Sequence, residues 1–260
     1  MNRLSVSIFQ SSAREQTPAA KLNWLDMAAD RAAGNGCNLL ICPELYLSGY
    51  LAGDKMRDRA QPIDGEYAER VGEVAQLHNI AITYTYPEVN AGSLYNAAGF
   101  VSAAGELIGH HRKNHLPKGY EPTYFTADHA ISVFDYAGWK IALLICYDIE
   151  FPEAARQAAL QGAEFIIVPT ALGAEWSFVV EKLVPTRAWE NGVFLAYANW
   201  AGKEGDMTYL GGSRIIGPEG KEDAVAGNRE EILIAELDKS RVAAARARLN
   251  YLGDRVPYDG

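Results

Sequence analysis

Cysteine is scarce in this chain: three in 260 residues, at positions 37, 42 and 146. An odd number gives no disulfide framework, and it suits a cytoplasmic protein in a reducing compartment, where a free thiol stays usable. No apolar run approaches the length needed to cross a bilayer, so no membrane association is expected. The opening Met1-Asn2-Arg3-Leu4-Ser5-Val6-Ser7-Ile8-Phe9 alternates like a first strand instead of reading as a signal peptide. Blocks of Lys and Arg are missing and the net charge is -9, which argues against nucleic acid as a partner. There is neither a glycine-rich phosphate loop with its lysine nor a dinucleotide fingerprint. Cys37 with Cys42, or His111 with His115, lack zinc-site spacing and have no following partner pair, so neither metal nor cofactor is expected. Long linkers, repeats and low-complexity tracts are also missing, so residues 1–260 read as one domain with 240–260 as a C-terminal arm.

What is present is a large apolar fraction, 48%, arranged in short runs. Leu4 to Phe9, Asn38 to Cys42, Ile80 to Tyr86, Leu94 to Ser102, Leu107 to Arg112, Ile131 to Phe134 and Lys140 to Ile145 are predicted strands. Phe165 to Val168, Val193 to Ala198, Gly211 to Ile216 and Ile232 to Leu237 complete the set. Helices are predicted from Thr17-Pro18 to Gly34, from Gly65 to His78 with Tyr67, Val71, Val74 and Leu77 inward, from Pro152 to Gly162, and over Val179 to Glu190. Asp238 is placed to cap a last short helix. Strand–helix–strand units in both halves give an α/β class with mixed sheets covered by helices. Periodicity alone fits two sheets face to face as well as one doubly wound sheet.

Cys146 ends the apolar run Ile141-Ala142-Leu143-Leu144-Ile145, and Pro152 soon opens a helix. A thiol at such an elbow sits at the mouth of a sheet, where a helix N-terminus favours thiolate over thiol. The position fits a buried structural cysteine equally well. Glu44 directly follows the strand Leu39-Leu40-Ile41-Cys42 and Pro43. It is either a solvated loop acid or, in a drier pocket, a carboxyl that exchanges protons near neutrality. Lys113 follows Leu107-Ile108-Gly109-His110-His111-Arg112. It is either a surface amine or a compact cation beside a thiolate and an oxyanion.

Three segments occur in order: Cys42-Pro43-Glu44-Leu45-Tyr46-Leu47-Ser48-Gly49-Tyr50, His111-Arg112-Lys113-Asn114-His115-Leu116-Pro117 and Ile145-Cys146-Tyr147-Asp148-Ile149-Glu150-Phe151-Pro152-Glu153. Together they resemble the nitrilase superfamily of carbon–nitrogen hydrolases, with its glutamate–lysine–cysteine triad on a four-layer αββα sandwich. Gly119-Tyr120-Glu121-Pro122-Thr123-Tyr124-Phe125 is similar to the loop that supplies a second glutamate, so Glu121 is the candidate. Thr126-Ala127-Asp128 stands where the family usually has a proline–glycine–acid turn. Arg187-Ala188-Trp189-Glu190-Asn191 resembles a helix end of the family, and Asp254-Arg255-Val256-Pro257-Tyr258 its C-terminal arm.

The resemblance implies that Glu44 takes the thiol proton, Cys146 attacks, and Lys113 with the Tyr147 N–H holds the oxyanion. Ammonia leaves, and water cleaves the thioester. Glu121 orients Lys113 or assists the water. The segments look most like amidases of short aliphatic or ω-amino amides. N-carbamoyl amine hydrolysis is the first rival, nitrile hydrolysis a lesser one, and an inactive interaction protein on the same scaffold the non-enzyme alternative. Tyr50, Tyr120, Thr170 and Trp176 are candidate pocket walls. A homodimer or higher homo-oligomer is expected by the same resemblance.

Overall fold

The computed structural model describes residues 2–14 and 17–256. Its first half runs β1 (Arg3–Gln10), α1 (Pro18–Gly34), β2 (Leu39–Ile41), α2 (Lys55–Asp58), α3 (Glu66–His78), β3 (Ala81–Asn90), β4 (Ser93–Val101), β5 (Leu107–Arg112) and α4 (Glu121–Tyr124). The second half runs β6 (Val133–Tyr136), β7 (Trp139–Leu143), α5 (Pro152–Leu160), β8 (Phe165–Pro169), α6 (Val184–Asn191), β9 (Phe194–Ala198) and the short hairpin of β10 (Lys203–Glu204) and β11 (Met207–Thr208). It closes with β12 (Arg214–Ile216), β13 (Glu222–Val225), β14 (Glu231–Asp238) and α7 (Lys239–Arg248).

Two six-stranded sheets form, in the orders β14-β1-β2-β3-β4-β5 and β13-β12-β9-β8-β7-β6. Each has a parallel trio, β1-β2-β3 or β7-β8-β9, flanked by antiparallel strands. Alternate side chains on these strands enter different cores. Leu4, Val6, Ile8, Leu39 and Ile41 meet Ile141, Leu143, Phe165, Ile167 and Phe194 between the sheets. Leu40 and Cys42 face Leu25, Ala29, Val71 and Ala75 of α1 and α3. Ala142, Leu144, Ile166, Val168 and Leu195 face Ala155, Ala158, Val184 and Ala188 of α5 and α6. Three stacked cores mean four layers, αββα, which is why the central strands are apolar on both faces.

Local chemistry sets the element ends. Thr17 caps α1 by accepting from the Ala20 N–H, and Pro18 takes the first helical position. Asp238 caps α7 through the Ser240 N–H. The region predicted as one helix over 179–190 begins as a π-helical stretch, Val179–Leu183, before α6. Pro185 explains the change, since it has no N–H to complete the ordinary ladder.

Some expectations need correction. Leu77 is 72% exposed, so only Tyr67, Val71, Gly72 and Ala75 of α3 are buried. The strand expected from Gly211 starts at Arg214, because Gly211 and Gly212 hold φ of 67° and 61°. A Cβ on Gly211 would lie 2.7 Å from the Gly227 carbonyl oxygen, so the backbones touch there. The start of the expected arm is α7, held to its own chain by Arg246, which donates to the Ala163 carbonyl, and by Arg241 on Glu219 and Asp223. Pro257 and Tyr258 of the arm motif lie outside the described residues.

Candidate active site

The groups singled out in the sequence follow the C-terminal ends of strands from both sheets. Glu44 follows β2 and Lys113 follows β5 in the first sheet; Cys146 follows β7 and Thr170 follows β8 in the second. Such ends are where open α/β sheets hold ligands. Glu44, Lys113 and Glu121 are buried, and Cys146 is 8% exposed.

Lys113 Nζ donates to Glu44 Oε1 at 2.7 Å and to Glu121 Oε1 at 2.5 Å. Asn96 Nδ2 also donates to Glu44 Oε1, at 2.7 Å, and Tyr50 Oη donates to Glu121 Oε1, at 2.8 Å. The second oxygens, Glu44 Oε2 and Glu121 Oε2, are buried without a hydrogen-bond partner among the described residues. Each carboxylate therefore has one oxygen held by these donors and one without a donor among the described residues.

The backbone around Glu44 is fixed on several sides. Its N–H donates to the Thr170 carbonyl at 3.3 Å, and its own carbonyl accepts from Trp200 Nε1 at 2.8 Å. Thr85 Oγ1 donates to the Pro43 carbonyl and accepts from the Tyr46 N–H. Leu45 and Cys146 adopt φ of 50° and 45° although neither is glycine. Backbone strain of about 1–3 kcal/mol at such residues clusters at functional sites. At Cys146 it makes a sharp strand-to-turn elbow that presents the sulfur.

Beyond the elbow, Cys146–Glu150 form a 3₁₀ turn, and α5 begins only at Pro152. The expected thiolate-favouring helix terminus is thus not beneath the sulfur, and the thiol shifts the other way. Burial pushes Cys146 up, Glu44 and Glu121 add to that, and Lys113 and a hydrogen bond from Thr170 oppose it. Burial also raises Glu44, to about 7, against the opposing pull of Lys113. Burial alone would lower Lys113, yet the charges of Glu121 and Glu44 hold it well above its ordinary value as an ammonium. The arrangement is a neutral thiol beside a carboxyl poised near neutrality and a fixed cation. It can accept a proton, deliver a nucleophile and neutralise an oxyanion. The Tyr147 N–H lies in the 3₁₀ turn, directly after the residue that carries the sulfur.

The other expected residues divide. Tyr50 is buried against Glu121; the Tyr120 ring is tilted against it with centroids 5.7 Å apart, and its hydroxyl accepts from the Gly53 N–H. Thr170 is buried with its hydroxyl 2.9 Å from Cys146 Sγ, so it lies against the sulfur itself. Trp176 is 58% exposed and does not join the buried cluster. The unusual Thr126-Ala127-Asp128 segment is tied in by Thr126 N–H to the Leu94 carbonyl and Asp128 N–H to the Lys113 carbonyl.

Residues missed in the sequence include Asn96 and Asp148. Asn96 is a buried amide within the apolar strand β4, and that incongruity was the available signal. Asp148 lies two residues past the thiol and is fully buried. Its carboxylate accepts from the N–H groups of Asn114, His115 and Ile145 and contacts His111 Nε2 and His115 Nδ1. It fastens the Lys113 segment to the Cys146 elbow. Burial would raise it, but the hydrogen bonds to His111 and His115 outweigh this and hold it well below the usual carboxylate range.

The carbon-nitrogen hydrolase family profile matches residues 5–247. The chain belongs to this family. This carbon–nitrogen hydrolase is 31% identical to an (R)-stereoselective amidase of a Pseudomonas species, over 97% of this chain and 91% of that protein. It is 32% identical to N-carbamoylputrescine amidase of Solanum lycopersicum, over 85% of this chain and 82% of that one. Among solved structures it superposes, with a TM-score of 0.88 and 32% identity, on a variant of the amidase from Nesterenkonia sp. AN1. That structure shows covalent addition of the acetamide moiety of fluoroacetamide at the active-site cysteine; the match covers 97% of this chain and 93% of that chain. The carbon–nitrogen hydrolase is thus an amidase-like member of the nitrilase superfamily, with its αββα sandwich, and a hydrolase of non-peptide carbon–nitrogen bonds.

Proposed function

We propose that this enzyme hydrolyses a small aliphatic or ω-amino carboxamide to the carboxylic acid and ammonia through a thioester on Cys146. The observation that carries this reading is the Glu44 carboxyl, raised to about 7 and with Oε2 unpartnered among the described residues, in one buried cluster with Lys113 and the elbow thiol. Glu44 takes the thiol proton as Sγ bonds to the amide carbon. The charge on the carbonyl oxygen falls to Lys113 Nζ and the Tyr147 N–H. Glu44 returns the proton to nitrogen, the carbon–nitrogen bond breaks and ammonia departs. Water then attacks the thioester, Glu44 takes its proton and passes it to the leaving sulfur. Glu121 holds Lys113 in place through Oε1. Tyr50 and Tyr120 wall the pocket, with Trp176 a surface group at most at its rim.

An ammonia-release screen with propionamide, an ω-amino amide, N-carbamoylputrescine and propionitrile is expected to rank the two amides first. Cys146→Ala is expected to remove all turnover while keeping the thermal midpoint. Ammonia released by purified Cys146→Ala sinks the mechanism. The 32% identity to N-carbamoylputrescine amidase favours a ureido substrate as the second reading; carbon dioxide released alongside ammonia and amine identifies it. The same proposal has the enzyme act in the cytoplasm as a homodimer. Exposed Trp189, Tyr251 and Val256 near α6 support an apolar contact between copies.

A further inference from the structure

The sulfur is in surroundings that oppose its ionisation. Two carboxylates, Glu44 and Glu121, act on it against one ammonium, and that ammonium is already held by both. Yet any thiol mechanism here needs sulfur to bear negative charge twice, on attack and again when the thioester breaks. A donor from another direction would ease both moments.

One is in place. Thr170 Oγ1 lies 2.9 Å from Cys146 Sγ and 3.0 Å from Tyr197 Oη. A threonine hydroxyl has one hydrogen, so it cannot donate to both. Tyr197 is fully buried and its phenol is pushed well above its ordinary value, first by burial and then by the Cys146 charge, so it keeps its proton. Thr170 Oγ1 is the hydrogen-bond partner the structure records for that phenol among the described residues. Once the sulfur is a thiolate it can only accept, so the polarity that uses both contacts is then Tyr197 O–H to Thr170 Oγ1 and Thr170 O–H to sulfur; in the neutral thiol the S–H can donate to Thr170, whose hydroxyl then donates to Tyr197 Oη.

The frame is stiff. Thr170 follows β8, and Tyr197 lies on the neighbouring parallel strand β9, where Val168 pairs with Tyr197 and Pro169 with Ala198. The Thr170 N–H donates to the Ala198 carbonyl at 2.8 Å. Its β-branched side chain has restricted rotation. The second sheet thus presents a donor to sulfur, while the first sheet presents the base and the cation.

We propose that Thr170 is a catalytic residue, donating its hydroxyl hydrogen to the Cys146 thiolate, and that Tyr197 is the positioning residue that fixes the direction of that donation. This rests on the reading of Cys146 as nucleophile. It assigns Thr170 a part in bond making and breaking in addition to any contact with substrate.

The test is the pH dependence of thiol modification by methyl methanethiosulfonate, read at Cys146 by mass spectrometry and needing no substrate. Thr170→Val is expected to move the midpoint up by about one to two pH units, since hydrogen bonds to charged groups are the strong ones. At neutral pH the modification rate falls about tenfold or more, and Thr170→Ser restores most of it. Tyr197→Phe leaves the threonine–sulfur contact intact and is expected to shift the midpoint the same way by less. In turnover, Thr170→Val lowers kcat with little change in KM. A Thr170→Val protein with the wild-type midpoint overturns the proposal, whatever its stability. If that variant does not fold, an unchanged midpoint in Tyr197→Phe overturns it. A wild-type Cys146 that the reagent does not modify at any pH sinks the nucleophile reading itself, which is a different result.

Discussion

Glu44 divides its work between two oxygens. Oε1 is saturated by Lys113 and Asn96, while Oε2 is left without a partner among the described residues. Its ordinary value near 4.5 rises to about 7 because burial disfavours the charge. Only the deprotonated carboxylate accepts the thiol proton, so kcat/KM is expected to climb with pH and level off above about 7. A profile flat from pH 5 to 8 would remove Glu44 as the base. Glu44→Gln keeps the shape and the bond from Lys113 but cannot take a proton. Turnover is expected to fall at least about a hundredfold, measured by ammonia release. The same shift bears on stability with a definite sign. A carboxyl raised in the folded state binds its proton more tightly than in the unfolded chain, so it favours folding at low pH and loses that contribution as pH rises through 7.

At the scale of elements, two loops must be held in register. Asp148 does this from the 3₁₀ turn after the elbow, gathering Asn114, His115, His111 and Ile145 on one buried carboxylate. His115 also stacks on Phe151 at 3.9 Å. Asp148→Asn places an amide NH₂ against groups that need an acceptor. Breaking a buried pair of this kind costs about 3–5 kcal/mol, which a denaturant titration would show as a lower midpoint. Activity should fall with it, because the Lys113 segment loses its anchor; unchanged stability and activity would mean the network is idle. Because its folded value is depressed, the stability Asp148 contributes is present above the ordinary carboxylate range and lost as pH falls below about 4. Much at this scale was legible beforehand. The strand ends before Glu44 and Cys146 follow from apolar runs stopped by Pro43 and the elbow, and the strand before Lys113 from a hairpin around Ala104 and Gly105. The β3–β4 hairpin turn at Ala91 and Gly92 was not, since an alanine at φ of 48° carries no turn signal. The β10–β11 hairpin and β13 were also missed, being short and mostly polar. Side-chain direction was the deeper gap. Thr170 and Asn96 are visible as polar residues in apolar company, but only strand packing decides that one touches sulfur and the other a carboxylate.

At the scale of the molecule, the three stacked cores set what a substitution costs. Ile167 lies in β8 and is fully buried between the sheets. Ile167→Ala is expected to lose about 2–5 kcal/mol in urea unfolding, from lost transfer energy and the cavity left behind. Leu77→Ala, on the exposed side of α3, should stay within about 0.5 kcal/mol. Equal effects would mean that the assignment of the inter-sheet core is mistaken. Periodicity left one sheet or two open, while the family resemblance implied the αββα sandwich that the structure shows. What resolves it is the alternation along β2, β7, β8 and β9, whose odd and even residues enter separate cores.

The seam between the sheets has a further meaning for how the protein is made. Glu44 and Lys113 leave the ribosome well before Cys146 and Thr170. A nascent chain that has delivered only its first half owns a proton acceptor and a cation but nothing to attack with. The sulfur arrives after both, and the first sheet is itself unfinished until β14 has been made, so the cluster can close only when nearly the whole chain has emerged.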